Sequence, residues 1–224
     1  MTTAPPLEPE VAFFREIERA FVERRGDPLF ISNADWVFLA KLWKKGVPQR
    51  IVLRGMTDAF DAHAHSFARK QKIRSLKFCE TEIAASADRY RRALQAEGPG
   101  RRGLSGALES LAERIAAIDV PPALADAIEA SRRGLLALAG AAATDKGVDA
   151  GRVLQSIEDV LVTAASEALG PEPIAAFQEG SRQATAAYQS RMPTKVYETL
   201  IEESVRRKIL QRFGLPRLLL ADIE

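Results

Sequence analysis

The residues best suited to chemistry are two histidines in the run DAHAH, His63 and His65, and one cysteine, Cys79. A metal would need imidazoles, thiolates or carboxylates converging on one point. Histidines two apart can converge on a strand or loop, but on a helix they point about 200° apart. They are the only histidines in the chain, and no second ligand cluster accompanies them. Solvated loop histidines and no metal are therefore expected. A nucleophilic cysteine needs a base and an exposed, electropositive niche. Cys79 lies instead in the apolar stretch LKFCETE, which predicts a buried core thiol. The run GPGRRGLSG lacks the Gly-Lys-Ser/Thr ending of a phosphate-binding loop, and no strand pattern precedes it. No catalytic residue and no cofactor is assigned, and the chain reads as non-enzymatic.

Charge is more informative. Over the whole chain 32 basic residues face 30 acidic ones, a net charge of +2. Between Lys41 and Lys77 the balance is far from even. Lys41, Lys44, Lys45, Arg50, Arg54, Arg69, Lys70, Lys72, Arg74 and Lys77 are opposed only by Asp58 and Asp61, a surplus of eight positive charges. That density could neutralise several phosphates. Phe67 and Phe78 lie close by and could stack on unpaired bases. The competing expectation is a solvated helix face balanced in space by Glu16, Glu18, Glu80 and Glu82.

The elements that must position these residues are helical. Phe13, Phe14, Ile17 and Phe21 step by three and four, predicting a helix from about residue 9 to 25. Ser32 or Asn33 can cap a second helix, with Asp35 in its first turn and Trp36, Leu39, Ala40 and Trp43 as its stripe. Gly46 stops it. A third follows Pro48, with Val52, Gly55, Met56, Ala59 and Phe60 on one side, and a polar loop from Asp61 onward. Ile73, Leu76, Phe78, Ile83 and Tyr90 mark a fourth helical region. Glycines and a proline between Gln95 and Gly106 predict a linker or long loop at residues 98–106. This divides a basic part, residues 1–97, from an alanine-rich helical bundle, residues 107–224. Gly214 and Pro216 end the last helix, yet Leu215, Leu218, Leu219 and Leu220 follow. Those leucines either fold back on their own helices or bind a partner. The fold class expected is all-α.

The stretch DWVFLAKLWKKGVPQRIVLRGMTDAF has two helical patterns around a Gly-Val-Pro break. A DNA-reading helix-turn-helix with Gly46 as its turn glycine would bury Lys41 and Lys45 between helices. A helical hairpin anchored by Trp36 and Trp43 fits better. With the following KIRSLKFCETEI, residues 31–90 resemble the helical domain of DnaD-type primosome proteins. Ser32, Trp43, Ile51, Val52, Ala59, Ile73, Leu76 and Phe78 occupy matching places, while Phe78 and Ile83 stand where that family carries a Tyr and a Trp. The resemblance implies a bacterial DNA-replication accessory or DNA-binding adaptor. It also implies a replicative helicase or its loader ATPase as partner, in helicase loading at the primosome.

DNA, single-stranded DNA included, is thus the expected ligand, with self-association as a further expectation. The alternative is a helical scaffold or oligomerisation protein without nucleic-acid contact. A lone cysteine cannot form an internal disulfide, which fits a reducing, cytoplasmic setting. MTTAPPLEPE has neither the basic start nor the apolar run of a secretion signal, and no apolar stretch approaches 18 residues, so no membrane contact is expected.

Overall fold

A computed structural model of the protein describes residues 8–27, 31–66, 72–95, 103–144, 148–220 and 223. The protein is all-α: nine α-helices, three 3-10 turns and no strand are found among the described residues. The chain forms two compact units, one from residues 1–89 and 181–204, the other from 90–180 and 205–224. The boundary falls inside the fourth, eighth and ninth helices. Residues 98–102 of the expected linker lie outside the described residues, and the helix after it already starts at Leu104.

The first unit is built on α1 (Pro9–Arg25), α2 (Asn33–Lys44) and α3 (Gln49–Ala64). α1 ends where Gly26 takes a left-handed conformation at φ 69°, returning its N–H to the carbonyls of Val22 and Glu23. Its aromatic face is buried as the spacing predicts, and Phe13 and Phe14 meet Trp43 and Trp36 of α2 at ring distances of 5.0 and 5.9 Å. α3 packs against α1 and against a 3-10 turn at Leu76–Cys79, which leads into α4 (Glu80–Gln95). Ser181 and Ser204 share a buried hydrogen bond of 2.9 Å, and Ser204 donates to Glu8.

Asp35 organises this unit. Its carboxylate is fully buried at the third position of α2. Ser32 accepts from the Asp35 N–H, and Asp35 accepts from the Ser32 N–H and hydroxyl, a reciprocal cap. The same carboxylate accepts from the Ser75 hydroxyl at 2.6 Å and the Lys77 N–H at 3.2 Å. One side chain thereby caps α2 and fixes the start of the 3-10 turn some forty residues on. Cys79 is fully buried beneath it. Burial, with the Asp35 charge adding to it, pushes the thiol from its ordinary 9.0 up to about 12.

Close packing sets one further constraint. At Gly55, on the buried face of α3, a β-carbon would stand 2.5 Å from the Ile83 α-carbon and 2.8 Å from the Glu82 carbonyl oxygen. Both are main-chain atoms of α4, so neither can swing aside.

The second unit holds α5 (Leu104–Ala116), α6 (Ala125–Thr144) and α7 (Ala150–Leu169), with α6 packed against both of the others. α8 (Pro171–Thr185) and α9 (Thr194–Arg212) start in one unit and finish in the other. Leu108, Leu111, Ile115, Leu135, Leu138, Leu154 and Leu161 make the core. Glu158, only 2% exposed, is the buried charged side chain among the described residues of this unit. It binds Arg206 at 3.2 Å and Arg217 at 3.0 Å, and accepts from the Leu218 N–H at 2.6 Å. A buried carboxylate is costly unless its charge and lone pairs are met. Here they are met by groups of the last helix and the tail. Leu215, Leu218, Leu220 and Ile223 are buried, and Leu219 is half-buried.

Two measurements check these contacts. Gly→Ala in a helix ordinarily stabilises, as it should at Gly140, where nothing lies within 4 Å of the added carbon. Gly55→Ala must instead force two backbones apart and should cost about 1–3 kcal/mol. Thermal denaturation of the two variants should show shifts of opposite sign. For Cys79 the folded state favours the neutral thiol. Its contribution to stability is whole below pH 9.0, and is lost as pH rises toward about 12. A thiol reagent at pH 8 should leave Cys79 untouched in the native protein and label it on unfolding. Labelling of the folded chain at the unfolded rate would contradict the burial.

Candidate nucleic-acid interface

The basic residues of the Lys41–Lys77 segment reach the surface because the opposite face of each element is committed to the core. On α2, Trp36, Leu39 and Ala40 point inward, and Lys41, Lys44 and Lys45 are exposed at the other side of its last turn. Cations are favourable there, against the negative end of the helix dipole. Gly46, at φ 62°, reverses the chain. Arg50 and Arg54 then sit one turn apart on α3, exposed, while Val52, Gly55, Met56 and Ala59 are buried. Further on, Lys72 and Arg74 are exposed on either side of the buried Ile73. Lys77 is exposed on the 3-10 turn that Asp35 holds. Arg69, Lys70 and Phe67 lie outside the described residues.

The cations fall in two groups. Ser75 and Lys77 bind Asp35 in the first turn of α2, whereas Lys44 is in its last turn. Nine residues of helix separate Asp35 from Lys44, about 14 Å along the axis. That length matches about four phosphate steps of one DNA strand.

Asp58, Asp61, Glu16 and Glu18 are engaged elsewhere, whereas Glu80 and Glu82 in the first turn of α4 take part in none of the ion pairs found among the described residues. Asp58 pairs with Arg89 at 3.0 Å and Asp61 with Arg24 at 3.8 Å, both arginines from outside the segment. Glu16 is held by Arg19 at 2.8 Å, and that hydrogen bond keeps its carboxyl below the usual carboxylate range. Glu18 binds Arg191 at 2.7 Å. Lys41, Lys44, Lys45, Arg54, Lys72, Arg74 and Lys77 take part in none of the ion pairs found among the described residues. Sequence reasoning had no means to find the Asp58–Arg89 and Asp61–Arg24 pairs, since each joins different helices.

The histidines differ from their expected loop setting. α3 continues to Ala64, so His63 lies in its last turn and His65 caps it. The alanines of DAHAHS favour that extension. His65 donates from Nδ1 to the Asp61 carbonyl at 2.7 Å. His63 is half-buried, its ring edge-to-face with Phe78 at 5.3 Å and 83°. Among the described residues no three His, Cys, Asp or Glu side chains come together as a metal would require. No helix among them is long and apolar enough to cross a membrane. Of the four tail leucines weighed as a partner segment, Leu215, Leu218 and Leu220 are covered by their own chain and Leu219 partly so.

A family of uncharacterised proteins matches residues 12–98, less than half of the chain but all of the Lys41–Lys77 segment. No curated protein and no solved structure matches the chain.

Proposed function

We propose that the protein is a non-enzymatic nucleic-acid-binding adaptor that holds DNA through the phosphate backbone, along α2, the start of α3 and the Lys72–Lys77 segment. The observation that carries this reading is the unbalanced charge. Seven exposed lysines and arginines of one segment have no carboxylate partner among the described residues, while its two aspartates are taken by Arg24 and Arg89. A solvated helix face in a protein of nearly even net charge would be expected to pair some of them. Exposed lysines on well-packed elements suit phosphate contact, because the cost of ordering the scaffold is met on folding.

The resemblance of residues 31–90 to the DnaD-type helical domain supports a place in DNA replication. It points to a replicative helicase or its loader ATPase as the protein partner. In that role the chain would act as a bridge, with DNA on the basic surface.

The test is salt dependence. Binding of the full chain to a fluorescent oligonucleotide should weaken steeply between 50 and 200 mM salt. Each phosphate contact contributes about 0.7–0.9 to the slope of log K against log salt. Replacing Lys41, Lys44, Lys45 and Lys77 together by glutamine should lower that slope by about 3 and weaken all sequences alike. The helical circular dichroism should not change, since these side chains are exposed. Absence of binding by the wild-type chain at 50 mM salt would overturn the proposal and favour a helical scaffold.

A further inference from the structure

Phe78 is the one described aromatic ring more exposed than buried, at 53%. A single exposed apolar side chain is unremarkable by itself. Its mounting and its neighbours set this one apart. The 3-10 turn Leu76–Cys79 has three residues per turn, so Leu76 and Cys79 point the same way, and both are fully buried. Lys77 and Phe78 are thereby turned outward. The Asp35 carboxylate fixes the turn through Ser75 and the Lys77 N–H, and the His63 ring meets Phe78 edge-to-face at 5.3 Å. The ring is presented to solvent on a backbone that cannot swing it inward without breaking the contacts of Asp35.

Around it stand exposed cations with no acidic partner among the described residues, Lys77 beside it and Lys72 and Arg74 just before it. Glu80 and Glu82 follow in the first turn of α4, so phosphates would track the Lys72–Lys77 side and not α4. An exposed aromatic face next to a line of cations is what unpaired nucleic acid requires. Every base has a π-face to stack, and every link carries a phosphate. In a duplex the base faces are covered by their neighbours and the ring has nothing to stack on.

Building on the proposed nucleic-acid reading, we infer that the surface selects single-stranded over double-stranded nucleic acid, with Phe78 as a base-stacking platform. The experiment compares oligo-dT, oligo-U and a blunt duplex by fluorescence anisotropy, using the full-length chain at fixed salt. Phe78→Ala should weaken binding of the single strands about 5- to 150-fold and leave both duplex binding and the salt slope unchanged. Phe78→Trp should restore single-strand binding, with emission quenched by the stacked base. Trp36 is fully buried and Trp43 half-buried, so the new indole is read as the difference between the emission of the variant and that of wild type. The tighter of the two single strands identifies DNA or RNA as the source. Equal single-strand binding by wild type and Phe78→Ala overturns the stacking role while leaving phosphate contact standing, and assigns the exposed ring to a protein partner instead. Equal affinity for duplex and single strand overturns the selectivity. No binding of any probe by wild type at 50 mM salt overturns the inference together with the reading beneath it.

Discussion

The carboxylate of Asp35 is buried and forms no ion pair among the described residues, and the first unit depends on how its lone pairs are satisfied. Ser32 meets it from the N-terminus of its own helix, and Ser75 and the Lys77 N–H meet it from the 3-10 turn. Hydrogen bonds to a charged acceptor are stronger than neutral ones, and leaving such a group unmet in the interior costs far more than a surface bond returns. α2 and the 3-10 turn are therefore not independently placed. The orientation of one prescribes that of the other, and with it the positions of Lys41, Lys44 and Lys45 at one end and of Lys77 and Phe78 at the other. Gly55 completes the frame by letting α3 approach the α4 backbone more closely than any other residue would allow.

The second unit solves an equivalent problem with charge. Glu158 sits where a leucine would suit the stripe of α7, and Arg206, Arg217 and the Leu218 N–H gather around it. Removing one partner of such a buried group typically costs about 3–5 kcal/mol. Apolar contacts alone would hold a short tail loosely, and the clasp gives it one register. This is the physical reason that Leu215, Leu218 and Leu220 face their own core.

Much of the fold was legible because amphipathic periodicity and helix punctuation are local signals. The bounds of α1, the Ser32 cap, the stops at Gly46 and Gly214 and the burial of Cys79 all follow from neighbours a turn apart. Contacts across forty or more residues leave no such trace. Asp35 was readable as a first-turn acid but not as the anchor of Ser75. Glu158 did leave a faint signal, since it lies four residues after Leu154 and three before Leu161, on the buried stripe. An α-helical period groups Phe78 with Ile73, Leu76 and Ile83. The 3-10 period of three turns it outward. The candidate surface was readable as a count of charges, but the engagement of four of its neighbouring acids was not, because Asp58, Asp61, Glu16 and Glu18 find their arginines through the tertiary fold or on their own helix.

The proposed function rests on cations that have no ion pair among the described residues. Exposed cations of this kind attract polyanions first. Where a nucleic acid sits can be read lysine by lysine. Acetylation of the native chain, with and without a single-stranded oligonucleotide and followed by mass spectrometry, tests the claim directly. Lys41, Lys44, Lys45, Lys72 and Lys77 should be protected when the oligonucleotide is bound, and Lys195, exposed on α9, should react equally in both samples. Uniform modification of all six under conditions where the oligonucleotide is bound, or protection of Lys195 alone, would contradict the account.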